Sequence, residues 1–196
     1  MSLPGQRTTT TAMNWDDFRS LISRLERDEE YKFCLLIACG VFTGLRIGDL
    51  LRLRFIQFEN TEILSIQEQK TKKLRRIKIN SDLRELLMRV KEKIGVTDSS
   101  QYIFLNRYGT KPIDRSYVNV RLKEIMRKYD ITVESNVSSH MFRKTLGNRV
   151  LRLNNYSNES VVLLMEMYSH SSPAITRRYL GLRERDILDV YDSLKL

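Results

Sequence analysis

Thr43-Gly44-Leu45-Arg46-Ile47-Gly48-Asp49-Leu50 ends one helix and begins another. Upstream, residues 31–42 are apolar nearly all round, the mark of a buried helix. Thr43-Gly44 breaks that helix, and an amphipathic helix is expected over residues 45–53. Arg46 therefore stands at a helix start beside a buried element, with Asp49 three residues on. Gly44 would let the backbone turn so that the guanidinium faces a cleft, held there by Asp49. The plainer alternative is a surface arginine paired with Asp49.

Before this stretch, Asn14 is an N-cap candidate, Asp16 and Asp17 suit a first helical turn, and Phe18, Leu21, Ile22 and Leu25 form an apolar stripe. After it the period changes. Residues 55–58, 62–66 and 74–79 carry β-formers and predict a small antiparallel sheet of two or three strands. Gln67-Glu68-Gln69-Lys70-Thr71-Lys72-Lys73 forms the polar basic turn between the last two. Asn80 or Ser81 caps a helix to about Lys93, a short strand or extended piece is expected over 102–104, and Asp114 caps a helix to about Tyr129. Further helices fit 139–153, 158–167, 172–179 and 183–193, the third opened by Ser172-Pro173. The fold class is α+β, mainly helical with one small antiparallel sheet. Residues 1–12 look like a leader or linker, and 13–196 like one domain.

A formal charge of +10 on 196 residues points to a polyanionic partner, nucleic acid before an acidic membrane surface. No apolar stretch is long enough for a transmembrane helix, and no signal peptide opens the chain. Cys34 and Cys39 fall on different faces of one helix, so they read as buried thiols in a reducing compartment.

The chain has only two histidines, and each keeps telling company. In Ser139-His140-Met141-Phe142-Arg143, positions three apart share a helical face, so His140 and Arg143 can meet one phosphate while Phe142 turns to the core. Arginine offers a fork of donors matched to phosphate oxygens, and histidine can accept a proton near neutral pH. His170 and Tyr179 lie nine positions apart. A free phenol has a pKa near ~10, so about 0.1% is ionised at neutral pH and attack on phosphorus needs a base or nearby cations. Lys70 in the turn can reach a scissile phosphate and protonate a leaving oxygen, work worth ~10²–10⁴ in rate. Lys72 and Lys73 compete for that task. Lys72, Lys73, Arg75, Lys144, Arg177 and Arg178 are candidates for contact with DNA. No metal ligand set and no cofactor motif is expected.

These segments resemble the catalytic domain of the tyrosine recombinases, the lambda-integrase and Xer-type family. They are Thr43 through Leu50, Gln69-Lys70-Thr71, Ser139 through Arg143, and Ser169-His170-Ser171-Ser172 leading to Arg178-Tyr179. The likeness runs from about residue 13 to the end, in matching order and spacing. It implies that Arg46 and Arg143 bind the scissile phosphate, Lys70 is the general acid, His140 serves proton transfer and His170 donates to a nonbridging oxygen. Tyr179 would be the nucleophile of a 3′-phosphotyrosyl link, with no metal or ATP. Three departures stand out. Tyr168-Ser169-His170 replaces the usual Leu-Gly-His, which alters the local turn. Lys144 stands where many members have histidine. The N-terminal core-binding domain that closes a clamp on DNA is absent, so the chain reads as a catalytic fragment or a minimal member.

The function implied is site-specific DNA cleavage and rejoining, as in integration by mobile elements. The alternatives are a type IB topoisomerase-like enzyme and an inactive DNA-binding protein of the same fold. Expected partners are double-stranded DNA and further copies of the chain, as a tetramer on DNA, with accessory DNA-bending or directionality proteins compatible. Residues 184–196 would be either a helix docked on a neighbouring protomer or a self-packed one. The expected location is the cytoplasm, at the nucleoid.

Overall fold

The computed structural model describes residues 12–133, 136–182, 191 and 194. The chain divides into two compact units, Met1–Thr145 and Leu146–Leu196. The expected helix over 183–193 and the terminal segment 184–196 lie outside the described residues, apart from Tyr191 and Leu194. So does the expected leader, apart from Ala12.

In the first unit, helix α1 (Trp15–Arg27) opens on Asn14, whose side chain accepts from the Asp16 amide at 3.1 Å. Asp16 and Asp17 in its first turn, with Arg24 and Arg27 in its last, complement the helix dipole. Its buried Phe18, Leu21 and Leu25 belong to the same core as helix α2 (Tyr31–Thr43), which is buried nearly all round. Gly44 ends α2 in the left-handed conformation at φ 58°, its N–H donating to Gly40 O at 3.0 Å. That region suits a residue without Cβ.

Two expectations are corrected here. Helix α3 covers only Ile47–Leu50, not 45–53, because Leu45 is buried in the core and the Arg46 backbone is extended (φ −67°, ψ 148°). Residues Phe55–Phe58 form a 3₁₀ turn rather than a strand. Side chains three apart eclipse in that geometry, so Phe55 and Phe58 are both buried, and Gln57 closes the turn by accepting from the Arg54 amide at 2.8 Å.

The sheet therefore has two strands, β1 (Ile63–Gln67) and β2 (Leu74–Lys78), antiparallel with Leu64 opposite Ile77 and Gln67 opposite Leu74. Tyr102 makes only an isolated bridge with Arg54. Helix α4 (Ser81–Lys93) is capped by Asn80 and helix α5 (Arg115–Lys128) by Asp114, each side chain accepting a backbone N–H of its first turn. Helix α6 (His140–Leu153) carries the unit boundary within it. Cys34 and Cys39 are free, buried thiols; burial pushes Cys34 up to about 12 and Cys39 higher still.

The second unit contains helices α7 (Asn158–Tyr168) and α8 (Pro173–Leu180), capped by Ser157 and Ser172. Leu151, Val161, Leu164, Tyr168 and Leu182 form its buried core. Among the described residues no helix is long and apolar enough to cross a membrane.

Candidate active site

The turn Thr43-Gly44 is the anchor of the first unit's basic groups. The Thr43 hydroxyl donates to Cys39 O at 2.6 Å and accepts from the Leu45 amide at 3.3 Å. Its backbone carbonyls then face two arginines. Arg143 Nη1 donates to Gly44 O at 2.7 Å. Arg75 donates through Nη2 to Thr43 O at 2.7 Å and through Nη1 to Gly44 O at 3.2 Å. Arg143 is only 4% exposed, so this guanidinium is held by backbone rather than by solvent.

Arg46 is half-buried and pairs with Glu68, Nη1 to Oε2, at 2.8 Å. Glu68 is fully buried, and Arg75 Nη1 lies 3.8 Å from its other oxygen. The Thr71 hydroxyl donates to Oε2 at 2.7 Å. Burial opposes ionisation of Glu68, but the Thr71 hydrogen bond and the Arg46 and Arg75 charges outweigh it and hold the carboxyl below its usual range.

Two sequence expectations change on this geometry. The carboxylate that meets Arg46 is Glu68, whereas Asp49 Oδ1 accepts from the Gln69 amide at 3.0 Å. One turn of α3 carries Asp49 inward, where it clips the start of the hairpin turn. Arg75, expected on the DNA-facing side, is turned inward with its side chain 10% exposed and its donors engaged by Thr43 and Gly44. Sequence reasoning passed over Glu68. The available signal was one acid among the three lysines of the turn, 67–73.

That turn is closed by Glu68 N–H to Lys73 O at 3.0 Å and Lys72 N–H to Glu68 O at 2.9 Å. Lys70, Lys72 and Lys73 are all exposed on it, and Lys72 takes a left-handed φ of 58°.

The start of α6 is fixed by two contacts. The Ser139 amide donates to Asn119 Oδ1 at 3.1 Å, and Phe142 packs so closely on Gly40 that a Cβ there would lie 2.4 Å from Phe142 Cδ2. His140 is thereby exposed on the first turn, while Phe142 and Arg143 point inward. Partial desolvation, then the positive charges of Arg115, Arg143, Lys144 and Arg46, hold the His140 imidazole below its ordinary pKa. Lys144, half-buried, is shifted down by desolvation.

In the second unit Ser169 ends α7 in the left-handed conformation, φ 53°, and the His170 amide donates to Met165 O at 3.0 Å. The serine thus takes the conformation a glycine would adopt freely. The turn brings the His170 ring to 5.4 Å from Tyr179, edge-on, and both rings stand edge-on to the buried Tyr168 at 5.4 and 5.8 Å. His170 Nδ1 lies 3.0 Å from the hydroxyl of Thr176, itself fully buried on α8. Tyr179 is half-buried. Arg177 donates to Asn158 Oδ1 at 2.5 Å, and Arg178 is exposed.

Within the first unit, the Thr43-Gly44 corner thus holds Arg143 and Arg75, and Glu68 of the turn bearing Lys70 pairs with Arg46; within the second, His170 and Tyr179 adjoin. Among the described residues no three His, Cys, Asp or Glu side chains gather as a ligand set.

Residues 12–185 match the sequence profile of the phage integrase family. The chain belongs to that family. It is 30% identical over 172 residues to the probable integrase/recombinase YoeC of Bacillus subtilis (strain 168), covering 83% of this chain and 90% of YoeC. Among solved structures, XerA recombinase superposes with TM-score 0.70 at 18% identity over 97% of this chain and 68% of its own. XerH site-specific recombinase, in a post-cleavage complex with its palindromic difH substrate, gives TM-score 0.67 at 18% identity over 93% of this chain. The chain spans about half the length of that XerH chain, 53%. The fold is therefore the tyrosine recombinase catalytic fold, mainly helical with its small two-stranded antiparallel sheet.

Proposed function

We propose that this integrase domain cleaves and rejoins double-stranded DNA at specific sites through a 3′-phosphotyrosyl intermediate. The observation that carries the reading is the placement of Tyr179. Its ring stands edge-on to His170, which a buried threonine orients. When the Thr176 hydroxyl donates to Nδ1, the imidazole proton stands on Nε2, the tautomer that can donate to a nonbridging phosphate oxygen.

In the reaction, Tyr179 Oη attacks phosphorus, a new P–O bond forms, and the P–O5′ bond breaks. His140 takes the phenolic proton, and its depressed pKa supports that role because the ring is neutral at neutral pH. Arg46 and Arg143 bind the phosphate and offset the charge that gathers on its oxygens. Both are anchored before substrate arrives, Arg46 by Glu68 and Arg143 by Gly44 O, so little reorganisation accompanies the step. Lys70 protonates the departing 5′ oxygen. The ester linkage is conserved in the protein–DNA bond, so the reverse attack by a 5′-hydroxyl rejoins the strand. Lys72, Lys73, Lys144, Arg177 and Arg178 supply phosphate contacts, and recombination of two duplexes calls for four copies of the chain.

Covalent capture tests this. Wild type and Tyr179→Phe are mixed with fragmented DNA, denatured, and any DNA still attached to protein is recovered and sequenced. Adducts in the wild type alone, mapping to Tyr179, are expected. Adducts that persist in Tyr179→Phe assign the nucleophile elsewhere.

A further inference from the structure

We propose that Glu68 is a positioning residue that ties the general acid Lys70 to the phosphate clamp Arg46. The inference rests on the function proposed above and adds a residue and a coupling to it. One oxygen carries it. Glu68 Oε2 forms an ion pair with Arg46 Nη1 at 2.8 Å and accepts from the Thr71 hydroxyl at 2.7 Å. Lys70 stands between Glu68 and Thr71 in sequence, so the Thr71 hydrogen bond closes the three-residue span that carries it.

The backbone on both sides of Lys70 is held as well. Lys72 N–H donates to Glu68 O at 2.9 Å, and Glu68 N–H to Lys73 O at 3.0 Å. Ahead of Lys70, the Gln69 amide donates to Asp49 Oδ1 and its side chain donates to Gly48 O, both at 3.0 Å. Gly48 and Asp49 lie on α3, the helix for which Arg46 is the N-cap. The lysine itself is exposed while residues 68, 69, 71 and 72 are all fastened.

Closing a polar hairpin does not require a fully buried carboxylate. Burial of an ion is unfavourable unless partners compensate it. Here the compensation comes from the two arginines and one hydroxyl already described, so the burial is matched to this one arrangement. Its effect is to fix the distance between a phosphate ligand and a proton donor. Displacement of a reacting group by about 1 Å can cost on the order of 10²-fold in rate. Glu68 itself neither gives nor takes a proton in the step; Lys70 Nζ loses one to the 5′ oxygen as the P–O5′ bond breaks.

The test uses a duplex of the sequence recovered by covalent capture, made with either oxygen or sulfur at the bridging 5′ position. A thiolate departs without protonation, so the sulfur duplex removes the need for a general acid. Lys70→Ala is the reference, slow on the oxygen duplex and restored on the sulfur one. Thr71→Val leaves the Glu68–Arg46 pair in place. It is expected to be roughly tenfold slower on oxygen and within about threefold of wild type on sulfur. Glu68→Gln is expected to be slowed on both and restored only in part, because Arg46 loses its charged partner too. Should Glu68→Gln fail to fold, Thr71→Val decides alone.

A wild-type rate for Thr71→Val on the oxygen duplex, or equal impairment on both duplexes, overturns the coupling. Failure of sulfur to restore Lys70→Ala removes Lys70 as the acid, and the coupling with it. No adduct from wild type on either duplex overturns the proposed function itself.

Discussion

Two residues repay attention singly. His140 enters the folded state with a lowered pKa, while in the unfolded chain it titrates near the ordinary value of about 6.5. Between those two values the unfolded state binds more protons than the folded one, so stability rises with pH through that window. Its contribution is complete above about pH 6.5 and falls as acid charges the ring beside four cations. Thermal melts at pH 5 and pH 7 should therefore differ less in His140→Gln than in wild type. Ser169 is the second case. A non-glycine residue in the left-handed region is strained. Ser169→Gly should raise the unfolding free energy by about 0.5–1 kcal/mol, read from urea midpoints at constant m-value. A loss of stability would mean the serine side chain holds the turn in a way its backbone does not reveal.

At the scale of elements, close approach to glycine decides where α6 and α8 lie. A Cβ on Gly40 would meet Phe142 Cδ2 at 2.4 Å and Cγ at 2.7 Å, atoms of a ring buried in the core. On Gly147 it would meet Leu180 Cδ2 at 2.6 Å, the far end of a side chain that can rotate, and Tyr168 Oη at 3.0 Å. Alanine gains up to ~1 kcal/mol of helix propensity at either site. Overpacking of about 1–3 kcal/mol should win at Gly40, making Gly40→Ala clearly destabilising and slower in cleavage, since His140 and Arg143 flank Phe142. Gly147→Ala should stay within about 1 kcal/mol of wild type. Parallel denaturation of the two variants checks the ordering.

At the scale of the whole molecule, the apolar core is divided unequally. The first unit's core includes most of α2 and the buried faces of α1 and α4, whereas the described core of the second is five residues, Leu151, Val161, Leu164, Tyr168 and Leu182. Local opening costs least where fewest apolar contacts are lost. Amide hydrogens of 158–180 should therefore exchange faster than those of α2 and α4, as mass-resolved hydrogen exchange would show. Equal protection would overturn that ordering. Since Tyr179 and His170 lie in that unit, the proposed nucleophile would sit on the more readily opened part of the chain.

Much of this was legible in the residues. The 3.6-residue period, the Asn14 and Asp114 caps, a cap at Asn80 or Ser81, the Ser172-Pro173 start and the helix break at Gly44 are local signals, written within a few residues of where they act, and the elements formed there, with Asn80 as the cap. The order of Arg46, Lys70, His140, Arg143, His170 and Tyr179 was also readable, because a family resemblance needs only sequence and spacing. Tertiary structure alone decided the partners. Asp49 lies three residues from Arg46 and looked like its counterion, yet Glu68, twenty-two residues away, holds it. Arg75 looked like one more surface cation and proved to be bonded to the Thr43-Gly44 turn. The physical reason is common to both. A guanidinium goes to whichever carboxylate or carbonyl the fold has buried within reach, and separation along the chain says nothing about that distance.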